Sequence, residues 1–209
     1  MSESTTRPRV RRADRKLQTF RRIQGEALRL FLEKGFDATT VEEVAAAAGV
    51  SHMTVYRHFP NKEALVLSDE WDPLLPGAIR NRPPHEGPLD ALEGAFLDVL
   101  DSVSDDDIES VKTRMSLTLS HPTILSASLF LTLETIQVVV SALRERSVED
   151  DATLEVIAST AVTVGSMAAF DWARHGHQPS LQQLVRERFA TLRRVVSEST
   201  GPGAPAGGA

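Results

Sequence analysis

The chain has 209 residues, 41% hydrophobic and 25% charged, enough to bury a core in one medium domain or in a small module joined to a larger one. It contains no cysteine, which excludes a disulfide framework and any thiolate metal site. The net charge of −6 is uneven: residues 1–68 hold 12 Lys and Arg against 8 Asp and Glu, and residues 69–209 hold 11 against 21. A basic end on an acidic chain suggests an anionic partner, with nucleic acid and a membrane surface as the candidates.

Residues 1–14 are polar, basic and aperiodic and read as a mobile arm. A first helix spans about Arg15 to Lys34, with Phe20, Ile23, Ala27, Leu30 and Phe31 on one face and Gly35 as its stop. Thr40 and Glu43 have the spacing of a capping box, which opens a short helix to Ala48. After the stop at Gly49, Ser51 caps a third helix ending near His58. Asn61 caps a fourth that runs to Glu70 or beyond, until Pro73 and Pro76 kink or end it.

Residues 81–88 read as a linker and a fifth helix spans roughly 88–103. The aspartates at 105–107 supply a cap and acidic first turn for a sixth. Pro122 suits the first turn of a seventh, an eighth runs from about Asp150 to His175, and Ser180 caps a ninth. The fold class is therefore all-α, about nine helices. The stretch from Ile124 to Leu143 approaches the length of a membrane span, but Ser126, Ser128, Thr132, Glu134, Thr135, Gln137 and Ser141 interrupt it, so it reads as a buried central helix. With no apolar leader at the N-terminus, the chain is expected in the cytoplasm, off the membrane.

The informative segment is TVEEVAAAAGVSHMTVYRHFPNKEAL at 40–65. Two short helices about a turn at Gly49 form a helix-turn-helix, with Ala45 permitting close approach and Val44, Val50, Val55 and Phe59 forming its small core. The second helix leaves Ser51, His52, Met53, Thr54, Arg57 and His58 on or near its outer face, where short polar side chains reach base edges in a major groove. Thr39 and Thr40, with Tyr56 and Lys62, are placed to meet phosphates. Arg11, Arg12, Arg15, Arg21 and Arg22 extend the basic surface, and each phosphate they neutralise releases counterions.

These residues resemble the DNA-binding domain of TetR-type transcriptional regulators: EKGF at 33–36, TTVEEVAAAAGVS at 39–51 and TVYRHFPNKEAL at 54–65. The resemblance implies a helix-turn-helix domain at 15–60 and a ligand-binding and dimerisation domain at 61–200; the closing GPGAPAGGA at 201–209, with no core residues, reads as a disordered tail. It further implies a homodimer on a near-palindromic operator, repression relieved by a small ligand, and no enzymatic activity. EWDPLL (70–75), RPPHEGPLDAL (82–92) and RMSLTLSHPTIL (114–125) resemble the mycofactocin-type regulator branch, some members of which respond to fatty acyl-CoA.

For the ligand, the expected lining is Trp71, Leu75, Phe96, Leu100, Met115, Leu119, Phe130, Leu133, Gln137 and Phe170, an apolar majority suited to a hydrophobic molecule. Ala158, Ala161, Gly165, Ala168 and Ala169 form a stripe of small residues on the eighth helix; it reads as a dimer interface, with packing inside the chain as the alternative. The histidines lack a metal-ligand pattern and no familiar catalytic motif is present, so no cofactor and no metal are expected. A transcriptional activator is the near alternative and a small helical enzyme or binding protein the distant one.

Overall fold

Arginine, lysine, leucine and alanine favour the helix, and they dominate the start of the chain. In the computed structural model, which describes residues 6–68 and 72–199, α1 accordingly spans Thr6–Lys34. Residues 6–14, expected as a mobile arm, are helical; residues 1–5 and the tail at 201–209 lie outside the described residues. Nine further α-helices follow among the described residues: α2 Val41–Ala47, α3 His52–His58, α4 Ala64–Leu67, α5 Leu75–Asn81, α6 Pro88–Asp101, α7 Asp105–Ser120, α8 Pro122–Arg144, α9 Asp151–Arg174 and α10 Leu181–Ser199. The described backbone contains no strand.

The expected caps form. Thr40 and Glu43 close the capping box, Ser51 Oγ accepts from Thr54 N at 3.2 Å, Asn61 Oδ1 from Ala64 N at 2.8 Å, and Ser180 Oγ from Gln183 N at 3.2 Å. Two readings are corrected. The cap of α7 is Ser104, whose Oγ accepts from Asp107 N at 3.3 Å. The tenth helix is α5: Pro76 lies in its first turn, where a proline gives up no hydrogen bond and its fixed φ suits helix initiation. A residue read as ending the fourth helix thus starts another, and α4 is one turn long.

Gly35 and Gly49 hold the two turns of the N-terminal region at φ +89° and +63°. A Cβ at Gly49 would meet nothing within 4 Å, so only backbone strain opposes a side chain there. Gly49→Ala is therefore expected to cost about 1–2 kcal/mol and Gly49→Asn less, because asparagine tolerates left-handed backbone. Thermal melts of the two variants check the order.

By backbone proximity the chain divides into two units, one comprising residues up to 72 with 104–130, the other 73–103 with the residues from 131 onward. In the first, Ile23, Ala27, Leu30 and Phe31 of α1 pack with Val44, Ala45, Val55 and Phe59 of the helix-turn-helix. Leu65 and Val66 of α4, Leu117 of α7 and Ile124 at the start of α8 join the same core. The reading head thus draws on elements well beyond residue 60, where the sequence placed its boundary.

In the second unit α6 packs on α5, α9 and α10, and α9 packs on α10. The core joins Leu75, Ile79, Leu92 and Ala95 to Val139, Val140 and Leu143 of α8, Leu154 and Ala161 of α9, and Val185 and Phe189 of α10. Arg146 ties the α5–α6 loop by donating to the carbonyls of Ile79, Pro83 and Glu86. By length and composition α8 and α9 could each cross a membrane, but each also contributes to this core.

Candidate DNA-reading site

α3 is fixed from both ends and from beneath. Val55 is buried at its centre, Phe59 is buried just past its C-terminus and stacks on Phe20 of α1 at 4.7 Å, and Ser51 caps its start. Pinning Val55 dictates the rest: on a 3.6-residue turn His52, Met53, Tyr56 and Arg57 face outward, and all four are exposed. His52 meets the edge of the Tyr56 ring at 6.5 Å, so the two form one surface. Thr54 is half-buried and its hydroxyl lies 3.0 Å from that of Ser51. These two hydroxyls first serve the helix start.

Thr39 does not belong to this surface. It is buried and its hydroxyl donates to Gly35 O at 2.9 Å, which secures the α1–α2 turn and leaves nothing for a phosphate. Thr40 is exposed, but its amide donates to Glu43 Oε2 at 2.9 Å. Glu43 also takes a 2.6 Å bond from Lys34, which with the Thr40 amide holds its carboxyl below the usual carboxylate range. A carboxylate therefore already occupies the start of α2. Lys62 Nζ sits 4.4 Å from the centre of the Phe36 ring and donates to Asp37 O at 3.3 Å, placing a cation beside the same turn.

Arg15 and Arg22 of α1 are exposed, and Arg21 lies 3.8 Å from Asp107. The side chains of Arg11 and Arg12 lie outside the described residues, on backbone that is helical. His58 is half-buried, and burial, with the nearby charges of Arg57 and Lys16, lowers its pKa. A neutral His58 releases no counterion, so His58→Gln should leave the slope of log affinity against log salt unchanged at pH 7.5, whereas Arg57→Ala should make it shallower. Binding titrations across a salt series distinguish the two.

The residues read as a ligand site are scattered. Leu75 and Phe170 are buried and Phe96 and Leu100 half-buried in the second unit. Met115 and Leu119 are half-buried in the first unit, and Trp71 lies outside the described residues. Phe130 and Leu133 stand outward on α8, 75% and 61% exposed, and Gln137 is exposed too. Apolar residues surround α8 on every side, and the side that packs is Ile136, Val139, Val140 and Leu143.

The small-residue stripe is corrected as well. Ala158, Ala161 and Ala168 are wholly buried within their own chain, and Ala169 and Gly165 are half-buried. A Cβ on Gly165 would lie 3.6 Å from the Phe96 ring. Small residues here admit α6 and its phenylalanine.

A short helix held by a buried valine, preceded by a capped helix and a glycine turn, defines a helix-turn-helix DNA-binding regulator. The family comparisons agree over both units. The model for bacterial regulatory proteins of the TetR family matches residues 23–68, and that for the MftR C-terminal domain matches residues 86–197. The chain belongs to the TetR family of transcriptional regulators and carries an MftR-type C-terminal domain.

Among relatives, the HTH-type transcriptional regulator TcmR of Streptomyces glaucescens is 43% identical over 88 residues, covering 41% of this chain and 39% of TcmR. The match thus spans about two fifths of that relative's length. Among solved structures, FadR of Thermus thermophilus, a TetR-family repressor in complex with lauroyl-CoA, is 25% identical with a TM-score of 0.55, over 91% of this chain and all of that one. NalD of Pseudomonas aeruginosa, the secondary repressor of a multidrug efflux pump, shares the fold at 22% identity and a TM-score of 0.54, over 87% and 96%.

Proposed function

We propose that the protein is a homodimeric repressor of the cytoplasm that places two copies of α3 in successive major grooves of a near-palindromic operator and leaves it when a hydrophobic ligand binds. The observation that carries this reading is the exposed row His52, Met53, Tyr56 and Arg57 on a helix pinned by Val55. His52 and Met53, near the N-terminus of α3, read base edges; Tyr56 and Arg57 hold phosphates, with Lys62, Arg15 and Arg22 beside them.

The ligand is a fatty acyl-CoA, held in the second unit with Leu75, Phe96, Leu100 and Phe170 as apolar wall. Support comes from the apolar side chains gathered on α5, α6 and α9 and from the lauroyl-CoA complex of the Thermus thermophilus structure. Such a ligand must bind the DNA-free protein more tightly than the DNA-bound one, and operator must then weaken acyl-CoA binding by the same factor. Calorimetric titration of lauroyl-CoA with and without operator tests this. A tenfold or greater weakening is about 1.4 kcal/mol of coupling and is the expected result; equal affinities reject acyl-CoA as inducer. Phe130→Asp and Leu133→Asp, on an exposed face that tolerates charge, should leave that binding intact if the wall is as assigned.

The dimer forms through α9 and α10, as the last two helices of each copy make a stable four-helix bundle. On α9 Val156, Thr163 and Met167 are exposed and, with half-buried Thr160, form a stripe spaced by four, three and four on the side opposite Ala158 and Ala161. On α10 Val195 and Val196 are exposed near its end.

A further inference from the structure

Phe36 follows the left-handed Gly35 and is buried. Its ring is held from two sides, by Phe31 of α1 at 5.0 Å and by His121, between α7 and α8, at 5.4 Å. The His121 ring is itself fixed, with Nδ1 3.1 Å from Leu117 O and 3.0 Å from Ser120 Oγ. Onto this anchored ring comes Lys62, four residues past the end of α3: its Nζ lies 4.4 Å from the ring centre and donates to Asp37 O at 3.3 Å. All of these residues belong to the first unit. A surface lysine on its four-carbon stem ordinarily samples many positions. Here an aromatic face and a carbonyl give the ammonium one seat, and the carbonyl takes only one of its three N–H donors.

We infer that Phe36 is a positioning residue for DNA binding: its ring seats the Lys62 ammonium beside α3, so that a DNA phosphate meets a cation that is already ordered. The inference rests on the reading of Lys62 as a phosphate contact. A ring attracts a cation through the negative face of its quadrupole and leaves the charge whole. A carboxylate would hold a lysine as firmly but would cancel the charge, as Glu43 does for Lys34 at 2.6 Å. The ring therefore orders Lys62 while keeping its full attraction for an anion. Holding a side chain in its bound position beforehand removes the entropy otherwise lost when it is ordered on binding. The gain is independent of base sequence, because a phosphate contact positions without specifying.

The experiment uses the full chain and places singly, doubly and triply fluorinated phenylalanine at position 36 by nonsense suppression. Each fluorine withdraws charge from the ring face at nearly constant volume, so the seat weakens while the packing stays. Affinity is measured across a salt series on an operator obtained by selection from random DNA and on unrelated DNA. It should fall stepwise with fluorine count, by about threefold or more with the third, and on both DNAs alike. The slope of log affinity against log salt should stay that of wild type, since the cation is still present to release counterions, whereas Lys62→Met should make it shallower. Within Lys62→Met the fluorine series should have no effect. Phe36→Leu, which removes the ring outright, should show the same loss with the same dependence on Lys62; if thermal melts show it unfolded, the fluorinated proteins carry the comparison. An affinity that stays flat across the fluorine series, or losses that persist in Lys62→Met, overturns this inference alone. A Lys62→Met protein with wild-type affinity and slope overturns the phosphate reading of Lys62 and this inference with it.

Discussion

Alanine at His52 and Met53 is expected to erase base preference at adjacent positions of each half-site, with a loss of about 1–3 kcal/mol for every base contact removed. In a two-fold dimer each loss counts twice, so a single variant weakens the operator complex by about 30-fold at the low end and far more at the high end. Binding to unrelated DNA should barely change. Tyr56→Ala and Arg57→Ala should behave in the opposite way, weakening all sequences alike, because phosphate contacts position without specifying. The contrast follows from where α3 is held. Val55 faces the core, so His52 and Met53 share the leading edge of the helix while Tyr56 and Arg57 lie a turn behind. Selection from random DNA with each variant decides it: retention of the wild-type motif by both His52→Ala and Met53→Ala would place the reading surface elsewhere.

The reading head was legible because its determinants are local. A capping box, a glycine at positive φ and a serine three residues before a donor act over four residues, and the spacing of Ala45, Gly49 and Val55 is visible in the chain. Thr39 was misread for a related reason: it adjoins a true cap, and only the turn geometry shows its hydroxyl folded back onto Gly35. The prolines near residue 75 were read as breakers, although proline also suits a first turn, and nothing nearby says which role applies. Gln24 did carry a signal that was passed over. A glutamine within an apolar stripe demands a buried partner, even though the sequence could not say that the partner was Ser68.

What periodicity cannot deliver is the identity of the neighbour. A helical wheel sorts α9 into a small-residue face and a face with Val156 and Met167, and both are chemically fit to meet another helix. Packing settles the first: Ala158, Ala161 and Ala168 are used up within the chain. On α8, whose sequence reads as a buried central helix, the structure buries Ile136, Val139 and Val140 while leaving Phe130 and Leu133 outward. The choice between equivalent faces is a tertiary property, set by the elements that happen to pack there.

That distinction yields the second large effect. Val156→Asp with Met167→Asp should leave the folded protomer about as stable as before, since both side chains are exposed within it. In a symmetric dimer four carboxylates would then be driven into one interface, each costing several kcal/mol to desolvate without a partner, so the dimer should dissociate. Each reading head must then bind alone, and operator affinity should fall by about 10²–10⁴, the advantage of linking two sites. Gly165→Leu provides the opposite pattern. Its side chain would press on Phe96, an overpacking cost of about 1–3 kcal/mol, partly offset by roughly 1 kcal/mol from replacing glycine within a helix. The melting temperature should drop modestly and the dimer survive. Sedimentation and thermal melts of the two variants separate the faces cleanly: a monomeric Gly165→Leu beside a dimeric Val156→Asp, Met167→Asp protein would return the interface to the small residues and force α6 away from α9.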